Sequence, residues 1–172
     1  FAGMLSIIEG HLGHRENARR YAQEALALGQ EVADPWYTVI VQLVLGRTAR
    51  LYGETAVAHE HFEAALGLAA TRGDITQRVI ALTELGSVQL EQGDAAAALA
   101  STQQAVELMR ARGDSGMGSM FTPAAAWWWH ARALQANGRA AESRQAMATG
   151  YRVMLDGVAS LSDEGLRRSW FN

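Results

Sequence analysis

An all-α fold, a solenoid of helix-turn-helix repeats, is what this sequence predicts, and three observations carry it. The first is self-similarity. Residues 85–108, LGSVQLEQGDAAAALASTQQAVEL, are echoed by LGRTARLYGETAVAHEHFEAALGL at 45–68 and by LSIIEGHLGHRENARRYAQEALAL at 5–28. The second is the spacing: Gly13, Gly53 and Gly93 stand 40 residues apart each time, and a fixed period of this size marks a repeat array. The third is composition. With 2 prolines, 49% hydrophobic residues and many alanines, the chain favours helix and can bury a sizeable core.

Taken in order, the first repeat spans about residues 1–33. Its helix A runs through roughly Leu12 and its helix B from about His14 to Val32. The second spans 34–73, opened by Asp34 as N-cap with Pro35 at the first helical position, where its missing N–H costs nothing. Helix A is expected over about 36–52 and helix B over about 54–72. The third spans 74–114, with Gly73-Asp74 ending one helix and capping the next, and Gly113-Asp114 doing the same a period later. In the B helices Ala58, Phe62, Ala65, Leu66 and Ala69 are matched by Ala98, Thr102, Ala105, Val106 and Met109. That is one face of an α-helix, and the shared alanines let neighbouring helices approach closely.

After Gly113 the period slips. Residues 113–121, GDSGMGSMF, carry three glycines and no helical pattern, so a loop is expected. Thr122-Pro123 opens the fourth repeat, 122–157, with helices over about 124–136 and 139–156. Its turn glycine, Gly138, falls 45 residues after Gly93. Ser162-Asp163-Glu164 starts a short C-terminal helix, 162–171, whose Leu166, Trp170 and Phe171 are placed to cover the end of the stack. The chain opens at Phe1 with residues that already suit the inside of a helix, so a segment of a longer protein is expected.

Composition also excludes function classes. A net charge of -3 lacks the clustered basic surface of a nucleic-acid-binding module. All the basic residues are arginine, which a coding bias toward Arg and Ala explains. No cysteine is available for disulfides or thiolate metal sites. No apolar run reaches the roughly 18 residues of a membrane span, and no signal peptide is recognisable, so a cytoplasmic protein is expected.

The copies resemble tetratricopeptide repeats (TPR). The pair of Leu with a small residue in helix A is Leu5-Ser6, Leu45-Gly46 and Leu85-Gly86, with His130-Ala131 in the divergent fourth copy. The small position early in helix B is Ala18, Ala58, Ala98 and Ser143, and the late one is Ala25, Ala65, Ala105 and Gly150. The family's bulky position is matched by Phe62 and Met147, and its tryptophan by Trp127 alone. The period of 40 departs from the usual ~34, and the closing proline is absent. Longer helices of this kind are similar to the arrays of large bacterial signalling proteins, including LuxR-type ATP-dependent transcription regulators. Residues 161–170 resemble the segment that often follows such arrays. The resemblance implies a right-handed α-solenoid whose concave groove, lined by helix A, binds a peptide, a partner protein or another domain of the parent protein.

Carried onto this sequence, the family's groove positions are Ile40, Leu43, Val44, Arg47 and Arg50 in the second repeat. The third supplies Ile80, Thr83, Glu84, Ser87 and Glu91, and the fourth supplies Trp128, Trp129, Arg132 and Gln135. Apolar area beside Arg and Glu suits an extended peptide or a docking helix. Successive helical residues point about 100° apart, so Trp127, Trp128 and Trp129 cannot share a face. The repeat alignment puts Trp127 in the core and Trp128 and Trp129 toward the groove, with Arg132 one turn on. Two readings stay open for them, an aromatic binding platform and inter-repeat packing. Arg47, Arg50, Glu84 and Glu91 likewise suit either a charged partner or pairing across repeats.

His59-Glu60-His61 lacks the i, i+4 spacing of a helical zinc site, and no metal or other cofactor is expected. The two Arg-Gly-Asp triplets at 72–74 and 112–114 are explained by a glycine stop and an aspartate cap. No acid/base pair, nucleophile set or phosphate loop is visible, so a non-catalytic interaction or regulatory domain is expected. Two alternatives stand beside it: a sensor in which the groove takes a small effector, and a homo-oligomerisation module acting through exposed tryptophans.

Overall fold

A computed structural model describes residues 2–32, 35–112 and 123–159. The expected loop at 113–121, the caps at Asp34 and Asp114 and the C-terminal helix at 162–171 lie outside the described residues. Within them the chain is all-helical, with no strand: α1 (Ala2–His11), α2 (Arg15–Val32), α3 (Pro35–Leu51), α4 (Thr55–Thr71), α5 (Ile75–Glu91), α6 (Ala95–Arg112), α7 (Pro123–Ala136) and α8 (Ala140–Ala159). Each odd helix packs on the even helix that follows it, and α2, α4 and α6 pack in turn on α3, α5 and α7.

The turn between paired helices is built the same way each time. At α5–α6 the Gly93 N–H donates to the Leu90 carbonyl at 3.1 Å and the Asp94 N–H to the Gln89 carbonyl at 2.9 Å. These are the two bonds of a Schellman motif, which satisfy carbonyls left open at the helix end. The motif needs a left-handed residue, and Gly93 supplies it with φ 84°. Asp94 then accepts from the Ala97 N–H at 2.9 Å, starting α6. Asp74 caps α5 through the Gln77 N–H at 3.0 Å.

Within each pair the helices meet at the small residue of the odd helix. A Cβ on Gly46 would sit 2.4 Å from Phe62 Cε1, and one on Gly86 2.3 Å from Thr102 Cγ2. In the outer pairs a serine hydroxyl bridges the same crossing. Ser6 of α1 donates to the Ala18 carbonyl of α2, and Ser143 of α8 donates to the Ala131 carbonyl of α7, both at 2.8 Å. The crossing is conserved in geometry while the hydroxyl changes helices.

The expected B-helix face is the core. Ala58, Phe62, Ala65 and Ala69 on α4 and Ala98, Thr102, Ala105, Val106 and Met109 on α6 are buried, with Leu66 packed against them. Helix α5 goes further: every residue from Val79 to Gln89 is buried. A helix apolar all round is expected to be enclosed, but α5 also encloses Thr83, Glu84, Ser87 and Gln89, so these polar side chains need partners.

Candidate functional site

The expected site residues fall on three helices that run past one another, α3, α5 and α7. On α5, Glu84, Ser87 and Glu91 follow i, i+3, i+7 spacing and share a face. From α3, Arg47 Nε donates to Glu84 Oε1 at 2.7 Å, and Arg50 Nη1 donates to Ser87 Oγ at 2.7 Å. The Ser87 hydroxyl in turn donates a hydrogen bond to the Glu84 backbone carbonyl at 2.7 Å. Arg50 also lies 3.8 Å from Glu84 Oε2 and 3.7 Å from Glu91 Oε1. The two arginines and two glutamates therefore pair across helices, which is how a buried carboxylate such as Glu84 is tolerated. Glu84 Oε2 is buried without a hydrogen bond, so the arginine charges are its compensation.

From α7, the Trp129 ring has two guanidinium groups near it, Arg50 and Arg132, each 5.6 Å from its centroid. Arg132 also lies 5.9 Å from the Trp128 ring. Among the described residues no carboxylate comes within ion-pair distance of Arg132. Seven of the expected residues thus form one connected cluster, Arg47–Glu84–Arg50–Ser87–Glu91 with Trp129 and Arg132. Among the described residues Trp128 joins it only through Arg132, and it lines a hollow of about 810 Å³ with Met147, Tyr151 and Met154 of α8. Gln135 is exposed near the end of α7, and no side-chain bond described for the cluster reaches it.

Three of the apolar groove candidates, Leu43, Val44 and Ile80, are buried, and Ile40 is half-buried. Leu43 and Ile80 belong to the main core, and Val44 turns toward α1, where a Cβ on Gly3 would lie 3.2 Å from its Cγ2. Adjacent hairpins cross closely enough to take up these positions as interior packing. Trp127 is in the core, as the alignment expects.

A second concavity, of about 320 Å³, opens between α6 and α8 over α7. Trp127 and His130 form its floor, edge to face with centroids 6.2 Å apart, and Arg110 lies 4.6 Å from the Trp127 ring centroid. His130 Nδ1 is 3.2 Å from Thr102 Oγ1, and burial, with Arg110 and Arg139 adding to it, lowers its pKa from the ordinary 6.5. Arg139 and Glu142 pair on the rim; the hydrogen bond from Arg139 holds the Glu142 carboxyl below its usual range. Neither concavity is named by the sequence alone. The α8 stripe Met147, Tyr151, Met154 has the i, i+4, i+7 spacing that signals an apolar face, but α8 carries a second such face that is core.

Among the described residues no three histidines, aspartates or glutamates come together to hold a metal, and no helix is long and apolar enough to cross a membrane. No family model and no curated protein matches the chain. Among solved structures it is similar to BtubC (BKLC) from P. vanneervenii, with a TM-score of 0.56 over 94% of this chain and 82% of that one. At 14% identity the likeness is one of fold.

Proposed function

We propose that this chain is a right-handed α-solenoid of TPR-like repeats, a non-catalytic module of a cytoplasmic regulatory protein that binds a peptide or partner domain along α3, α5 and α7. The observation that carries the reading is the state of Arg132. Its guanidinium is stacked beside two indoles yet meets no carboxylate among the described residues, whereas Arg47 and Arg50 are already paired. A guanidinium beside aromatic area is the residue mix that dominates binding energy at protein interfaces. The recognised feature is then an acidic side chain or chain terminus flanked by an apolar residue. The even-odd packing of the helices supports the array.

Selection from a displayed random peptide library tests this. Enriched peptides are expected to carry a carboxylate next to an apolar residue and to lose binding to Arg132→Ala by about tenfold or more. Peptides indifferent to Arg132 overturn the site while leaving the array intact.

One observation favours a small effector, as in the sensor alternative, but at a place other than the groove: the α6–α8 cleft with both signs of charge around His130. A small zwitterion seated there would raise the melting temperature of the wild type and not of His130→Ala.

A further inference from the structure

His130 stands where the other three copies carry leucine, at Leu5, Leu45 and Leu85, and Leu85 is buried in the core. The exchange is not isolated. At the preceding joint the positions of Glu107 and Arg110 are Gly67 and Ala70, and that of Glu142 is Ala97. The fourth copy therefore brings a histidine to a leucine position and three charged side chains to small ones. All four line the cleft of about 320 Å³ between α6 and α8.

The groups in this cleft have defined hydrogen-bonding states. The Thr102 hydroxyl carries one proton and donates to the Ala98 carbonyl at 2.8 Å, so toward His130 it can only accept. Nδ1 of the neutral ring is then the donor, at 3.2 Å. That tautomer leaves Nε2 as an acceptor, and among the described residues nothing donates to it. Glu107 accepts from Gln103 at 2.9 Å, but among the described residues no cation comes within ion-pair distance of it. Arg110 stacks on the Trp127 ring, and among the same residues no carboxylate lies within that distance of its guanidinium. The Trp127 N–H is buried without an acceptor. An anion, a cation and an imidazole acceptor thus line one cleft unpaired, while Arg139 and Glu142 on its rim satisfy each other.

We propose that the cleft binds an α-amino acid with an apolar side chain, its carboxylate on Arg110 and its ammonium shared by Glu107 and His130 Nε2. Glu107 and Arg110 are one turn apart on α6, with Cβ atoms about 5–6 Å apart, so the ligand's two charges must sit close together, as on a single α-carbon. Val106, Leu134 and Ala146 supply apolar lining for the side chain. The volume lies at the lower end of the roughly 300–1,000 Å³ of small-molecule pockets, which suits a ligand of this size. The inference rests on the effector reading of this cleft and makes no use of Arg132.

An NMR titration tests it, with the Trp127 indole N–H as reporter and L-leucine, L-methionine and L-phenylalanine as probes. Leucinol lacks the carboxylate and 4-methylpentanoate lacks the ammonium. At least one amino acid is expected to shift the reporter saturably, with both truncated probes about tenfold weaker or more. His130→Leu installs the residue of the other copies, so it keeps its helical circular dichroism and loses the binding. Arg110→Gln and Glu107→Gln, both at exposed positions, each weaken it by about tenfold or more, and Arg132→Ala leaves it intact. A truncated probe that binds as tightly as the amino acids, or Glu107→Gln or His130→Leu without effect, overturns the proposal while the cleft still takes a small effector. No saturable shift with any probe overturns the effector reading with it.

Discussion

Arg50 of α3 holds its guanidinium 5.6 Å from the centroid of the Trp129 ring of α7, although α5 lies between the two helices. The same side chain bonds Ser87 and approaches Glu84 and Glu91 on α5, so one arginine ties three helices together. Its planar fork can donate in its plane and stack on its face at once, which an ammonium group cannot do. A double-mutant cycle of Arg50→Ala and Trp129→Ala in urea unfolding is expected to return a coupling of about 0.5–1 kcal/mol. Arg50→Lys should lose most of that coupling. Additive single effects would show that ring and guanidinium do not interact.

Gly46 and Gly67 lie on neighbouring helices and call for opposite outcomes. A Cβ on Gly46 would meet three Phe62 ring atoms at 2.4, 2.7 and 2.9 Å, and Phe62 is fully buried with nowhere to move. Gly46→Ala should therefore destabilise by about 1–3 kcal/mol through overpacking. A Cβ added at Gly67, four residues before the end of α4, would meet nothing within 4 Å. Gly67→Ala should stabilise by roughly 0.5–1 kcal/mol, because alanine loses less backbone entropy in a helix. Thermal unfolding of the two variants decides this, and a neutral Gly46→Ala would mean that the α3–α4 crossing is looser than described.

Much of the helical framework was legible in the sequence because turn chemistry is local. Gly13, Gly53, Gly93 and Gly138 each adopt positive φ at the turn their spacing implies, and the helices stop at these turns. The site was legible in part. Arg47, Arg50, Glu84 and Ser87 could be placed on facing helices from the period, but whether they pair with one another or await a partner depends on how deeply α5 is enclosed. That depth is a tertiary property: it turned Leu43, Val44 and Ile80 from groove lining into core. The three tryptophans show the same limit. Their 100° steps separate them on α7, yet only the positions of α3 and α8 decide that Trp129 meets Arg50 while Trp128 meets Met147 and Tyr151.

Asp74 belongs to an Arg-Gly-Asp triplet, and its carboxylate is spent within its own helix, accepting from the Gln77 N–H at 3.0 Å. Asp74→Ala is expected to cost about 1 kcal/mol, and Asp74→Ser or Asp74→Asn to recover most of it, since either side chain can accept the same bond. Urea unfolding of the three variants checks this. An equal loss in all three would indicate that the charge at this position matters more than the cap.

The pH dependence of stability should turn on His130, and its sign follows from the burial of the ring. Desolvation first, then Arg110 and Arg139, lower its pKa below the ordinary 6.5, while Glu142 and Glu107 oppose the shift more weakly. The folded chain therefore holds the ring neutral at a pH where the unfolded chain has begun to protonate it. Between the lowered value and 6.5 the unfolded state binds more protons, so stability falls as the solution is acidified through this window. His61, also lowered by burial, acts in the same direction. Glu54, held below its ordinary 4.5 chiefly by the hydrogen bond from Arg15, contributes only at lower pH, so the two limbs separate. Urea midpoints measured from about pH 8 down to about pH 5 should decline through the histidine range. In His130→Gln the decline should be shallower, with the remainder carried by His61. A midpoint that rises on acidification through this range would mean that His130 is charged in the folded protein, with Glu142 or Glu107 as its counter-ion.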